Sequence, residues 1–238
     1  MKTDKKLILA GAVLAVIIII IIAFVFAKKS ASVTDSGRPP LAAGIDGAVA
    51  NTYITAQKPT LSENDLMFGA ADASLQIFVY EDYVSPYSAA LGDTLEKIRA
   101  ESGERLAIIV RPFIQDSPEG NEAAVAVACA GEQGKWKEMR ALLFARTKNQ
   151  QAGALDFGDY AKQIGLEGGR FLVCLTNPDK SGTIEQETRA AAGYGAQGTP
   201  TMFVGGEMII GARPYDDFKD SNGDEIAGLK RVIEEKLK

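Results

Sequence analysis

An uninterrupted apolar run near the N-terminus constrains this chain more than any other feature. From Leu7 to Ala27, 21 consecutive residues carry no charge and are almost all apolar. As a helix rising about 1.5 Å per residue, such a run crosses a hydrocarbon layer of about 30 Å. The apolar core of a cleaved signal peptide is shorter, about 7 to 15 residues. We therefore predict an uncleaved transmembrane anchor at residues 7–27.

The lysines around this run predict its orientation. Three lysines lie within residues 1–6, whereas Lys28 and Lys29 follow the run. Because cytoplasmic flanks carry an excess of Lys and Arg, this balance, together with the free amino terminus, favours a cytoplasmic segment at residues 1–6. The prediction is a single-pass protein of the cell membrane whose C-terminal part is extracytoplasmic.

The remainder of the chain is predicted to be a linker followed by one folded domain. Residues 28–60 are rich in small residues, glycine and proline without sustained periodicity, as is typical of a flexible linker. From residue 61 to residue 238, apolar patterns of strand length and helix length follow one another. The net charge of −5 and the lack of a basic stripe argue against a nucleic-acid partner, because phosphates repel an acidic surface.

The order of these patterns predicts an α/β fold. The predicted elements are a strand at Leu75–Tyr80, a helix that begins at Ser85, a strand at Arg105–Arg111, a helical block at residues 117–194, a hairpin at Thr201–Ile210 and a closing helix at Asp224–Leu237. Gly205-Gly206 suits the tight turn of the hairpin, since glycine adopts positive φ without strain. This is a sheet with an inserted helical block.

Ser85-Pro86-Tyr87-Ser88 lies at the junction of the first strand and the first helix. One interpretation is structural, because serine is a preferred N-cap residue and proline is favoured directly after it. The same junction stabilises an anion through free N–H groups and the helix dipole, which would activate a cysteine but not a serine. The chain has no histidine, so a Ser-His-Asp hydrolase is excluded.

Cys129 and Cys174 are the only cysteines, and they fall on two different predicted helices. In an exported domain they are candidates for a structural disulfide; the alternative is a pair of small buried thiols. Two cysteines without any histidine do not complete a usual zinc site, so we predict no metal.

Three motifs resemble the membrane-anchored branch of the DsbA-like thiol-disulfide oxidoreductases. They are Tyr80–Ser88 (YEDYVSPYS), Ala128–Trp136 (ACAGEQGKW) and Gly198–Gly206 (GTPTMFVGG). The resemblance implies a thioredoxin-like fold over residues 61–238. It also implies that Ser85 and Ser88 occupy the positions of the two redox cysteines and that Thr199-Pro200 forms the family's cis-proline loop.

The resemblance also carries an expectation about function. Without two thiols, neither step of dithiol exchange can occur, so the dithiol cycle is expected to be inactive. In that family the cis-proline loop pairs with an extended substrate, and we expect binding of extended or unfolded exported polypeptides without a cofactor. The expected contacts are Pro86, Tyr87, Thr199 and Pro200. The acidic pair Glu81-Asp82 is expected to be solvated or positioned by the family's fold, rather than a general acid/base couple.

Two alternatives stay open. Ser-Pro-Tyr-Ser also resembles the active-site start of kappa-class glutathione transferases, in which case Ser85 would stabilise the thiolate of glutathione, here a substrate. The other alternative is an active disulfide oxidoreductase in which the cysteines at Ser85 and Ser88 have been replaced by serine.

Overall fold

The structure is a computed structural model that describes residues 54–55, 59–150 and 154–238. The predicted cytoplasmic segment, the predicted anchor and most of the predicted linker lie outside these residues. Within the described ranges, no helix is both long enough and apolar enough to cross a membrane.

A six-stranded mixed sheet forms the centre of the described part. Its strands are β1 (Ile54–Thr55), β2 (Leu66–Phe68), β3 (Leu75–Glu81), β4 (Leu106–Pro112), β5 (Thr201–Val204) and β6 (Glu207–Ile210). Their order across the sheet is β1-β6-β5-β3-β4-β2. β3 and β4 run parallel, and the other neighbouring strands are antiparallel. β7 (Phe218–Lys219) and β8 (Glu225–Ile226) form a separate ribbon.

The helices follow the predicted order along the chain. They are α1 (Pro86–Ser102), α2 (Pro118–Gly131), α3 (Trp136–Lys148), α4 (Phe157–Gln163), α5 (Gly168–Leu175), α6 (Pro178–Gly193) and α7 (Leu229–Lys236). The helical block therefore lies within the predicted residues 117–194, and the predicted α/β fold is confirmed. The closing helix was predicted to begin at Asp224, which is wrong: Glu225–Ile226 pairs with Phe218–Lys219 first, and the helix begins at Leu229.

The central strands are buried on both faces, which fixes the two layers of helices. Ile77 and Val79 of β3 contribute to a core that also contains residues of α1, α3 and α7. Phe78 and Tyr80 point to the opposite core, to which α6 contributes Ala191. Because successive side chains of a strand point to opposite faces, one strand joins both cores.

The end of the predicted linker contacts the sheet. β1, at residues 54–55, pairs with β6, so that Ile54 lies opposite Met208. The carbonyl oxygen of Thr60 accepts a hydrogen bond of 2.7 Å from Nη2 of Arg111 in β4. Ordered contacts with the domain therefore begin before residue 61.

A disulfide joins Cys129 of α2 to Cys174 of α5, with the Cα atoms 5.8 Å apart. The predicted bridge is confirmed. It ties the short helix α5 to the C-terminal end of α2, the first helix of the helical block.

Candidate functional site

The sheet register brings the two motif loops to the same end of the sheet. Tyr80, near the end of β3, pairs with Thr201 at the start of β5. Ser85 follows β3 and Thr199-Pro200 precedes β5, so both lie just beyond this edge. The Thr199–Pro200 peptide bond is cis, as the resemblance implies.

Both serines are held by the backbone of their own loop. Ser85 is the N-cap of α1, and its Oγ accepts a hydrogen bond of 3.3 Å from the N–H of Ser88. Ser88 is fully buried, and its Oγ accepts from the N–H of Asp82 at 3.2 Å. The structural interpretation of Ser85-Pro86 as a helix start is therefore confirmed. With oxygen at both positions, the site supplies hydrogen bonds but no nucleophilic sulfur.

The surface around the serines combines exposed side chains with unpaired backbone. Pro86 and Tyr87 are exposed, and Tyr87 has 56% of its surface accessible. Thr199 is partly exposed, and neither its N–H nor its C=O has a hydrogen-bond partner among the described residues. Pro200 is buried, and its carbonyl oxygen accepts from the N–H of Gly211 at 2.7 Å. A hydrogen bond thus fixes Pro200, whereas the backbone of Thr199 has no partner among the described residues and is accessible to a ligand.

Of the two expectations for the acidic pair, Glu81 fits the second, because it is positioned by the fold and is not solvated. Its side chain is completely buried, and it forms a bidentate ion pair with Arg140 of α3 at 2.6 and 2.8 Å. Burial lowers the pKa of Arg140, but the Glu81 carboxylate outweighs this effect and raises it. The pair joins the last residue of β3 to the helical block. It lies at the start of the site loop, which runs between β3 and α1 and carries Ser85. It acts as a structural support, because both carboxylate oxygens are already engaged.

Asp82 is the second acidic residue of the loop. Its Oδ1 accepts a hydrogen bond of 3.0 Å from the N–H of Val84, and its carbonyl oxygen accepts from the N–H of Ser85 at 3.1 Å. Burial raises the pKa of this carboxyl, while the bond from Val84 lowers it and the nearby charge of Glu119 raises it further. Asp82 therefore shapes the turn that presents Ser85.

A second buried cation lies on the opposite face of the sheet. Arg111 binds both carboxylate oxygens of Asp65 at 2.7 and 2.8 Å and donates to the hydroxyl of Tyr80 at 3.2 Å. Burial raises the pKa of Tyr80 to about 12, so its hydroxyl stays neutral. Neither buried pair was predicted from the sequence, because each partner lies at least 46 positions from the other and leaves no local pattern.

The chain contains no histidine, and the described residues contain no cluster of Cys, Asp and Glu side chains suited to a metal ion. The two cysteines are in the disulfide, within the helical block. The site itself therefore presents hydroxyl, backbone and aromatic groups.

Residues 61–221 match the model of the family described as thioredoxin. The chain belongs to this family. Na(+)/H(+) antiporter NhaA of Herminiimonas arsenicoxydans is 31% identical over 160 residues, which cover 67% of this chain and 25% of that protein. Na(+)/H(+) antiporter NhaA 1 of Mycobacterium sp. (strain KMS) is 28% identical over 205 residues, or 84% of this chain and 31% of that protein. The chain thus spans about a quarter to a third of the length of these relatives.

Solved structures of low identity show the same fold. BdbD from Bacillus subtilis, in its oxidised form, has a TM-score of 0.64 at 18% identity and covers 76% of this chain and 97% of its own. α-DsbA1 from Wolbachia pipientis has a TM-score of 0.58 at 17% identity, and the match covers 74% of this chain and 92% of that chain. A periplasmic thioredoxin-like protein from Salmonella enterica serovar Typhimurium has a TM-score of 0.56 at 24% identity, and the match covers 73% of this chain and 90% of that chain. The domain has the DsbA-like thioredoxin fold that the motifs predict.

Proposed function

We propose that this chain is a membrane-tethered, extracytoplasmic DsbA-like protein that binds extended or unfolded polypeptide without exchanging disulfides. One observation carries the proposal: both hydroxyls at the positions that the motif resemblance assigns to the redox cysteines, Ser85 and Ser88, accept hydrogen bonds from the loop backbone. Disulfide exchange requires a thiolate that attacks a disulfide sulfur, and a serine hydroxyl does not replace it.

The binding surface is supported by the unpaired backbone of Thr199. An extended peptide that lies beside an open backbone segment gains affinity from main-chain hydrogen bonds, while neighbouring side-chain pockets give selectivity. Among the residues that the structure describes, Thr199 offers one donor and one acceptor without partners. The exposed ring of Tyr87 adds an apolar surface with a polar tip.

The membrane location is a proposal from the apolar run at residues 7–27 and from the lysines around it. The names of the relatives support it, because proteins called Na(+)/H(+) antiporters contain a segment similar to this chain. An extracytoplasmic domain near the membrane would meet polypeptides as they are exported.

The test is a titration of a fluorescently labelled, permanently unfolded polypeptide that contains no cysteine against the full-length chain. Tyr87→Ala should weaken binding by about ten-fold, since aromatic anchors of interfaces typically contribute more than about 1 kcal/mol. Leu172→Ala is the matched control, because Leu172 is a similarly exposed apolar residue in α5, outside the site. Equal affinities of wild type and Tyr87→Ala, or an equal loss in both variants, would contradict the proposed surface.

A second candidate function is glutathione binding of the kappa-class type. It is favoured by the partly exposed Ser85 hydroxyl at the start of the 17-residue helix α1, whose first turn has no acidic residue. Calorimetry at millimolar glutathione tests it: binding that disappears in Ser85→Ala supports this function, and no heat of binding in the wild type rejects it.

The remaining alternative is that the serines stand in for the cysteines of an active oxidoreductase. The double variant Ser85→Cys/Ser88→Cys, oxidised beforehand so that its two introduced thiols form a disulfide, tests it in an assay of disulfide exchange with a reduced, unfolded substrate. Exchange by the double variant and not by the wild type would mean that only the two sulfur atoms are missing. No exchange by either would mean that the scaffold itself no longer supports the reaction.

A further inference from the structure

A groove of about 510 Å³ lies between the loop that follows β4 and helix α6. Ile114, Pro118 and Ile184 supply apolar surface to it. Its two walls are joined by a hydrogen bond of 3.0 Å from the N–H of Ile114 to the Oγ1 of Thr188, which also lines the groove. The groove is therefore formed by two elements of the fold that a hydrogen bond holds together.

The groove lies next to the loop that carries the serines. Ser117, the N-cap of α2, lines it. A Cβ atom on Gly120 would lie 2.9 Å from the Oγ of Ser117 and 3.0 Å from the Oδ1 of Asp82, so these two side chains flank the same small space. The N–H of Phe113, which begins the loop after β4, donates to the carbonyl oxygen of Glu81 at 3.0 Å, so this loop lies beside the loop that carries the serines.

The ionic groups around the groove leave an excess of negative charge. Asp116 lines the groove, is exposed, and has neither a cation nor a hydrogen-bond partner among the described residues. Its backbone has φ of 48°, a conformation that few non-glycine residues adopt. Asp82 does not line the groove but flanks the same small space as Ser117, and it also has no cationic partner within the part of the chain that the structure describes.

The neighbouring charges do not offset these two carboxylates. Glu185 and Arg189, both on α6 and lining the groove, form an exposed pair at 3.5 Å. Arg146 of α3 lies 3.1 Å from Glu119 and so compensates that acid. A ligand in the groove would therefore meet an uncompensated negative charge next to the apolar side chains that line it.

We propose that this groove is an extension of the polypeptide site and that it selects segments in which a lysine or arginine follows an apolar residue. The apolar residue contacts Ile114 and Ile184, and the cation pairs with Asp116. Complementary charge of this kind increases the association rate and selects the partner. The inference rests on the proposed function, since it assigns a substrate class to the same site.

The experiment uses three labelled ten-residue peptides that differ at one position, which follows a leucine and carries Arg, Gln or Glu. Each peptide is titrated against the full-length chain. The Arg peptide should bind about two- to five-fold more tightly than the Gln peptide, the range for an exposed ion pair, and the Glu peptide should bind most weakly.

Asp116→Asn should remove this preference without changing the fold, because the side chain is exposed and makes no contact that asparagine would lose. Asp72→Asn is the matched control: Asp72 is equally exposed but precedes β3, at the opposite end of the sheet. It should retain the preference for the Arg peptide.

Equal binding of the Arg and Gln peptides to the wild type overturns the inference, as does an equal loss of preference in both Asp variants. If the peptides bind regardless of charge and Tyr87→Ala weakens them, the inference alone is overturned. If no peptide binds the wild type, the proposed function fails together with it.

Discussion

Replacing Arg140 with methionine should destabilise the domain by about 3 to 5 kcal/mol, because the Glu81 carboxylate then stays buried without a partner. Glu81 has no accessible surface and Arg140 has 6%, so water cannot solvate the charge that remains. Both bonds of the bidentate pair, at 2.6 and 2.8 Å, disappear together. The double variant Glu81→Met/Arg140→Met should recover most of this loss, since replacing a whole buried pair by well-packed hydrophobic residues of similar volume is often close to neutral.

Urea unfolding of the full-length chain measures the effect, followed by the fluorescence of Trp136. This is the single tryptophan of the chain and the first residue of α3, the helix that also carries Arg140. With a slope of about 2 kcal/mol per molar urea, a loss of about 4 kcal/mol lowers the midpoint by about 2 M. Arg99→Met removes an exposed pair with Glu96 and serves as the control, with an expected loss of about 0.2 to 1 kcal/mol. The reasoning is refuted if Arg140→Met costs no more than this control, or if the double variant costs the sum of the two single changes.

Two further predictions concern the disulfide and the acid of the site loop. Cys129→Ala/Cys174→Ala should lower the free energy of unfolding by about 4 kcal/mol, because the bridge closes a loop with a sequence separation of 45 residues; an unchanged urea midpoint would contradict this. Burial raises the pKa of Asp82, so the native state binds this proton more tightly than the unfolded chain does. The wild type should therefore gain stability relative to Asp82→Asn as the pH falls from 7 towards about 4, near the unfolded pKa. Urea titrations of both proteins across this pH range check the prediction. If the wild type loses stability relative to Asp82→Asn as the pH falls, the pKa of Asp82 is not raised in the native state.

The elements that were predicted from the sequence are those with strong local signals. Gly205 and Gly206 both adopt positive φ in the turn of the β5–β6 hairpin, which is why two glycines between two apolar runs indicated that turn. Ser117 caps α2 through its side chain, with Pro118 directly after it, and this pair indicated the start of the helical block.

The elements that the sequence analysis missed depend on tertiary pairing. β1 and β2 have two and three residues, too few for a periodic pattern, and they exist because β6 and β4 pair with them. The closing helix was placed too early because its apolar spacing extends over residues that the β7–β8 ribbon uses.

In the candidate site, too, the residues with a local sequence signal were predicted and those that depend on tertiary packing were not. Ser85, Ser88 and Thr199-Pro200 were found from motifs, because the sequence around them resembles a known family. The ion pair between Glu81 and Arg140 was not found, because its residues lie 59 positions apart and only the packing of α3 against β3 and α1 brings them together. Nor does a sequence reveal that a backbone group such as the N–H of Thr199 lacks a partner within the described ranges.

The amide hydrogen exchange of Thr199, measured by NMR on the full-length chain with and without a saturating unfolded polypeptide, tests the central claim most directly. That N–H has no acceptor among the described residues, so it should exchange quickly in the free protein. We predict that bound polypeptide slows its exchange by at least about ten-fold, because an extended chain then accepts its hydrogen bond. Unchanged exchange at Thr199 in the presence of the polypeptide would contradict the proposal that this loop binds it.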